Sequence, residues 1–132
     1  MILPDTSAWI DLFNDTGHPT QLRLVDLLTE GREVMVTEPV VMEVLAGMPG
    51  PALSAAQSSL RSFRMARVNG LADFEDAAAI FRACRAGGET PRSLVDCLIA
   101  AVAIREGASV LHRDADFDVI ARHTTLRIEP VD

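Results

Sequence analysis

The sequence predicts an α/β fold: one domain over residues 1–132, with a mostly parallel central sheet and helices on both faces. Three observations predict it. Short apolar runs of β type alternate with longer stretches of helical periodicity, the order of a parallel sheet connected by helices. No repeat, low-complexity tract or interdomain linker interrupts that alternation. A chain of 132 residues has single-domain length and buries roughly 65–70% of its unfolded surface, enough for a core without covalent staples.

Met1 to Pro4 reads as a buried first strand. Pro4 lacks a backbone donor, which a strand tolerates only near its end. Residues 7–14 read as a short helix with Ser7 as N-cap. Trp9 and Phe13 share a face of it, and for Trp9 core packing and subunit packing both stay open. Gly17 and Pro19 mark a turn, and Leu24, Leu27 and Leu28 predict a second helix that ends near Gly31. Glu33 to Thr37 reads as a strand. Thr37 then caps a helix with Pro39 in its first turn.

From Pro39 to Ala46 that helix is apolar at every position except Glu43. A helix apolar all round is a buried one, and an acid inside it needs a partner. Residues 52–62 read as helix and Phe63 to Val68 as a strand. Arg61, Arg64 and Arg67 recur every three residues, as a solvated face or as a patch facing phosphate. Leu71, Phe74, Ala78 and Phe81 form a helical stripe that Gly87 and Gly88 end. Thr90-Pro91 opens the longest buried helix, in which only Asp96 is polar between Leu94 and Ile104. Gly107 stops it. Ser109 to Leu111 is a short strand leading into His112-Arg113-Asp114-Ala115-Asp116-Phe117. Leu126 and Ile128 alternate with Arg127 and Glu129 in a last strand, which Pro130 ends.

The net charge of -7 argues against simple electrostatic attachment to nucleic acid. All 12 basic residues are Arg. The absence of Lys removes mechanisms that need a catalytic lysine, and with them receiver and haloacid-dehalogenase-like chemistry. Cys84 and Cys97 make no CxxC site or disulfide framework, the usage of a reducing compartment. No apolar run reaches membrane-spanning length, and the expected location is the cytoplasm. His18, His112 and His123 form no convincing pair for a metal-independent ribonuclease.

The acids carry the chemistry. Asp5 follows the first strand, Glu43 lies in the helix after the second, and Asp96 lies early in the helix before the penultimate strand. Asp114 and Asp116 follow that strand. Strand ends and the starts of following helices share one edge of a parallel α/β sheet, where ligands bind. Two carboxylates about 4 Å apart repel by roughly 4 kcal/mol at an effective dielectric of about 20. Such a cluster must hold protons or cations. Oxygen ligands without His or Cys favour Mg²⁺, with Mn²⁺ as a substitute. The implied chemistry is hydrolysis of a phosphodiester.

Structural uses compete for each acid. Asp5 is also a candidate N-cap or turn former. Ser93-Leu94-Val95-Asp96 also has the form of a capping box with Asp for Glu. Glu43 also suits an ion pair with an Arg, and Asp in a loop is common.

Asp5-Thr6-Ser7, Glu43 in its apolar helix, Asp96-Cys97-Leu98-Ile99-Ala100-Ala101 and His112-Arg113-Asp114-Ala115-Asp116-Phe117 together resemble a PIN domain. More narrowly, the chain resembles the VapC toxins of bacterial type II toxin–antitoxin pairs. The likeness runs over nearly the whole chain. It implies a Mg²⁺-dependent endoribonuclease acting on structured RNA such as tRNA or rRNA, a homodimer, and a VapB-type antitoxin that blocks the acidic pocket. By family position Asp5 and Asp96 are the main Mg²⁺ ligands. Glu43 and Asp114 complete the acidic set, with Asp116 nearby, and the closer of the last two stays open. Thr6 or Ser7 either orients a carboxylate or caps the helix, His112 either touches phosphate or is incidental, and Phe117 anchors the loop. A PIN-fold binding module without turnover is the alternative.

Overall fold

A computed structural model describes residues 1–131. Strand β1 (Ile2–Pro4) is followed by α1 (Thr6–Asn14), α2 (Pro19–Thr29), β2 (Met35–Val36), α3 (Glu38–Gly47) and α4 (Gly50–Arg61). Then come β3 (Arg64–Met65), α5 (Gly70–Ala86), α6 (Leu94–Glu106), β4 (Ser109–Leu111), α7 (Ala115–His123) and β5 (Arg127–Ile128). Every strand pairing is parallel: β4 lies between β1 and β5, and β2 pairs with β3. A bridge between Ile2 and Val34 joins the two ladders. Successive strand residues point to opposite faces. Ile2, Leu3 and Pro4 are all buried, so both faces of β1 are covered. This is the α/β arrangement the sequence predicts.

The core is apolar and continuous from Ile2 and Leu3 through Val36, Val40, Ile99 and Val110 to Phe117. Trp9 has no exposed surface; its ring lies 5.0 Å from Phe63 and 6.0 Å from Phe13, so core packing is its use. In α6 every residue from Cys97 to Ala103 is buried. Gly107 ends that helix at φ 69°, a conformation glycine adopts without steric cost.

Several local expectations need correction. Helix α1 starts at Thr6, and its N-cap is Asp5 rather than Ser7. The Asp5 side chain accepts the Ala8 N–H, one of the free donors of the first turn. Helix α3 is not buried all round: Val40 and Val44 point inward while Met42 is 59% exposed. The stripe of Leu71, Phe74, Ala78 and Phe81 is not the buried face of α5. Asp73, Ala77, Ile80 and Cys84 are. Asp73 tolerates burial because the Arg105 guanidinium grips it through two hydrogen bonds, 3.1 and 2.9 Å. The sequence reading has no helix between Asp114 and the last strand, yet α7 forms there. Asp114 caps it, and its inward residues Phe117 and Ile120 are three apart.

The strands bring their carboxyl ends to one edge. Pro4 pairs in register with Leu111, and the Asp5 N–H donates to the Leu111 carbonyl at 3.0 Å. Asp5 and the loop after β4 therefore leave the sheet side by side.

Candidate metal centre

Asp96, Asp114 and Asp116 each offer a carboxylate oxygen to one small volume, all within 4.8 Å of one another. Asp96 comes from the first turn of α6, Asp114 is the N-cap of α7, and Asp116 lies in its first turn. The capping-box use of Asp96 is not realised, because no side chain caps α6 at Ser93. The carboxyl is instead aimed at the other two acids. Asp116 is held as well as placed: its Oδ2 accepts the backbone N–H groups of Arg92 (2.9 Å) and Ser93 (3.0 Å). Those donors stand at the free amino end of α6, so one carboxylate locks the starts of two helices together.

The neighbouring acids are positioned from α1 and α3. Asp5 Oδ1 accepts the Ser7 hydroxyl at 2.6 Å and the Ala8 N–H at 3.2 Å. Its capping role and its place in the site are thus compatible uses of one carboxylate. Glu43 finds no Arg. It accepts the Thr6 hydroxyl at 2.7 Å, which ties α3 to the residue after Asp5. The hydroxyls of Thr6 and Ser7 each orient a different acid. Within the described residues the tight group contains Asp96, Asp114 and Asp116. Asp5 stands close enough to Asp114 to feel its charge, and Glu43 joins the edge through Thr6.

The electrostatics follow from burial. Removal from water, with Asp114 nearby, holds the Asp5 carboxyl at about 7 despite its two donors. Asp96 is pushed far above the usual carboxylate range, first by burial and then by the charge of Asp114 and its hydrogen bonds to Asp116 and Asp114. Left to itself, the group keeps protons that carboxylates normally lose by neutral pH. The donor set consists of hard oxygens in close mutual reach, with two of the three residues buried. That chemistry fits a divalent cation of the Mg²⁺ or Mn²⁺ kind.

Arg113, given no role of its own by the sequence, and His112 prove structural. Arg113 donates its backbone N–H to Ser7 Oγ (3.0 Å), and its guanidinium reaches Asp11, fully buried, at 3.0 Å. The loop after β4 is thereby pinned at two points to α1, the helix that Asp5 caps. His112 is buried; its Nδ1 accepts the Asp114 N–H at 3.0 Å, and its ring lies 5.2 Å from that of Phe117. It shapes the loop from within. Phe117, fully buried, anchors it as expected. Asp11 carries no sequence signal for this use, because its partner lies about a hundred residues away.

The PIN domain family model matches residues 2–123. The chain is 45% identical over 129 residues to "VapC ribonuclease Mb1587" of Mycobacterium bovis, with 96% of each chain covered. It is equally similar to "Ribonuclease VapC11" of Mycobacterium tuberculosis, at 45% over 129 residues and 96% of each. Among solved structures it superposes on VapBC2 from Rickettsia felis, bound in that crystal to a DNA fragment from the promoter. The TM-score is 0.72 and the identity 20%, over 100% of both chains. Family model, relatives and fold agree with the acidic edge: the chain belongs to the PIN domain family, and its relatives there are VapC ribonucleases.

Proposed function

We propose that the chain is a Mg²⁺-dependent endoribonuclease, the toxin of a type II toxin–antitoxin pair, that hydrolyses phosphodiester bonds of tRNA or rRNA. The observation that carries this reading is the convergence of Asp96, Asp114 and Asp116 within 4.8 Å. Support comes also from the hydrogen bonds by which Ser7 orients Asp5 and Thr6 orients Glu43. The proposed catalytic set is Asp5, Glu43, Asp96, Asp114 and Asp116, with Asp5 and Asp96 as the principal metal ligands.

A divalent ion bound there supplies Lewis-acid stabilisation and lowers the pKa of water. The residues supply the rest. Ser7 and the Ala8 N–H keep Asp5 from rotating away. Asp116 fixes the start of α6 and with it the height of Asp96. Thr6 holds Glu43 toward the edge, where a carboxylate can orient an attacking water.

The antitoxin and dimer belong to the same reading. A VapB-type partner is proposed on the kinship with VapC proteins. For a homodimer the supporting feature is an apolar face. Met42, Leu71, Phe74 and Leu94 are each more than half exposed. Met42 and Phe74 line a groove of about 430 Å³ with Glu38, Pro39, Val68, Val95 and Leu98, and Leu94 borders a second hollow that shares Phe74, Val95 and Leu98. Monomers seldom leave so contiguous an apolar surface in water. Among the described residues no helix is long and apolar enough to cross a membrane, and the cytoplasm is the proposed location.

The test is cleavage of tRNA and rRNA fragments by purified protein in Mg²⁺, in Mn²⁺ and in excess chelator. Cleavage with either ion, lost in chelator and in a folded Asp96→Asn variant, supports the reading. Activity that survives both treatments rejects it. Tight RNA or partner binding with no cleavage of any substrate favours a binding module instead.

A further inference from the structure

Arg92 is placed oddly for a surface residue. Its side chain is 77% exposed, yet it leans over the acidic group. One terminal nitrogen lies 3.6 Å from Asp114 Oδ1, and Nε lies 3.6 Å from Asp116 Oδ1. Both separations exceed hydrogen-bond length, so the head is held by charge rather than by fixed geometry. The stem is fixed, because the Arg92 backbone N–H donates to Asp116 Oδ2 at 2.9 Å. A firmly rooted residue thus carries a loosely held cation against two of the three acids. The other arginine in this loop cluster is committed elsewhere: Arg113 turns its guanidinium to the buried Asp11.

We propose that Arg92 is a displaceable counter-cation of this site, resting on Asp114 and Asp116 until a divalent ion takes its place and then contacting a phosphate of the RNA. The inference rests on the metal-dependent nuclease reading above. A guanidinium and a divalent ion compete for the same carboxylate oxygens, so bringing in the ion weakens the hold on Arg92. Released, its planar fork of donors matches a phosphate and adds positive charge where an acidic protein otherwise repels the substrate. Its exposed position leaves room for that swing.

The experiment compares wild type, Arg92→Gln and Arg92→Lys. Mn²⁺ binding is measured by calorimetry without RNA, and cleavage kinetics are measured at saturating Mn²⁺. Thermal unfolding checks the fold, which a substitution at so exposed a side chain leaves intact. Without the competing charge, Arg92→Gln binds Mn²⁺ about three- to tenfold more tightly, the range of a partly exposed ion pair. At saturating Mn²⁺ its KM for RNA rises about tenfold with little change in kcat, the mark of a lost binding contact. Arg92→Lys, which keeps the charge without the fork, falls between. Equal Mn²⁺ affinity in wild type and Arg92→Gln overturns the proposal while leaving the nuclease reading intact, and so does an unchanged KM. Absence of Mn²⁺ binding in wild type overturns both.

Discussion

Asp116 accepts the backbone N–H of Ser93 at 3.0 Å, joining the first turn of α7 to the N-cap of α6. The same carboxylate belongs to the three-acid group. A residue in this position serves the site and the fold at once, and the two roles separate by substitution. Asp116→Asn keeps an acceptor for both N–H groups and is expected to lose less than about 1 kcal/mol of stability. Asp116→Ala leaves two donors at a helix end without a partner and is expected to lose about 2–3 kcal/mol. Urea unfolding measures both. Equal losses in the two variants would show that the N–H contacts contribute nothing.

Arg113 and Asp11 form the second tie across the site. Asp11 has no exposed surface; Arg113 and Thr16 both reach its Oδ1, and His18 Nδ1 stands 3.8 Å from Oδ2. Removing Arg113 strands a buried charge, so Arg113→Ala is expected to cost about 3 kcal/mol. Asp11→Ala added to it should recover part of that loss. A double-mutant cycle by denaturant unfolding measures the coupling. Strictly additive losses would mean that the pair does not act as a unit.

The raised carboxyl of Asp5 sets a pH dependence on the chelated protein. Folded, it titrates near 7, against an ordinary value of 3.8. Between those values the folded chain holds a proton that the unfolded chain has released. Stability present below about pH 4 is therefore lost as the pH rises through 7, by at most about 4 kcal/mol. Unfolding in chelator between pH 4.5 and 8 should show a steady decline, shallower in Asp5→Asn. An identical slope in that variant would remove Asp5 as the cause.

The apolar face of α3, α5 and α6 makes a prediction about assembly. Phe74, more than half exposed, lines its groove. Phe74→Asp places a charge there without touching the buried side of α5. In the homodimer proposed above it is expected to break the contact, seen as a shift toward monomer in analytical ultracentrifugation with little change in circular dichroism. A wild-type chain that sediments as a monomer at micromolar concentration would exclude this surface as a dimer interface.

The strand and helix order was legible because apolar periodicity is a local property. The long apolar run around Asp96 and the stop at Gly107 sit where the periodicity put them. An acid inside an apolar helix stands out in the sequence, most of all at Glu43, whereas Asp96 also had the local form of a capping box. Helix α7 was not legible. Its apolar residues are few, and its start depends on Asp114 turning back to accept the Asp116 N–H at 2.9 Å. The stripe on α5 misled for the opposite reason. Periodicity marks an apolar face but not which neighbour covers it, and Asp73 enters the core only because Arg105 arrives from α6.

By itself the chain determined that several segments end in acids on one edge of a parallel sheet, since strand order and side-chain period act over a few residues. Only the tertiary structure decided which acids meet. It grouped Asp96 with Asp114 and Asp116, tied Glu43 to Thr6, and leaned Arg92 over Asp114 and Asp116. Carboxylate repulsion and ion pairing change over a few ångströms, and distances that short between remote segments are set by packing, not by spacing along the chain.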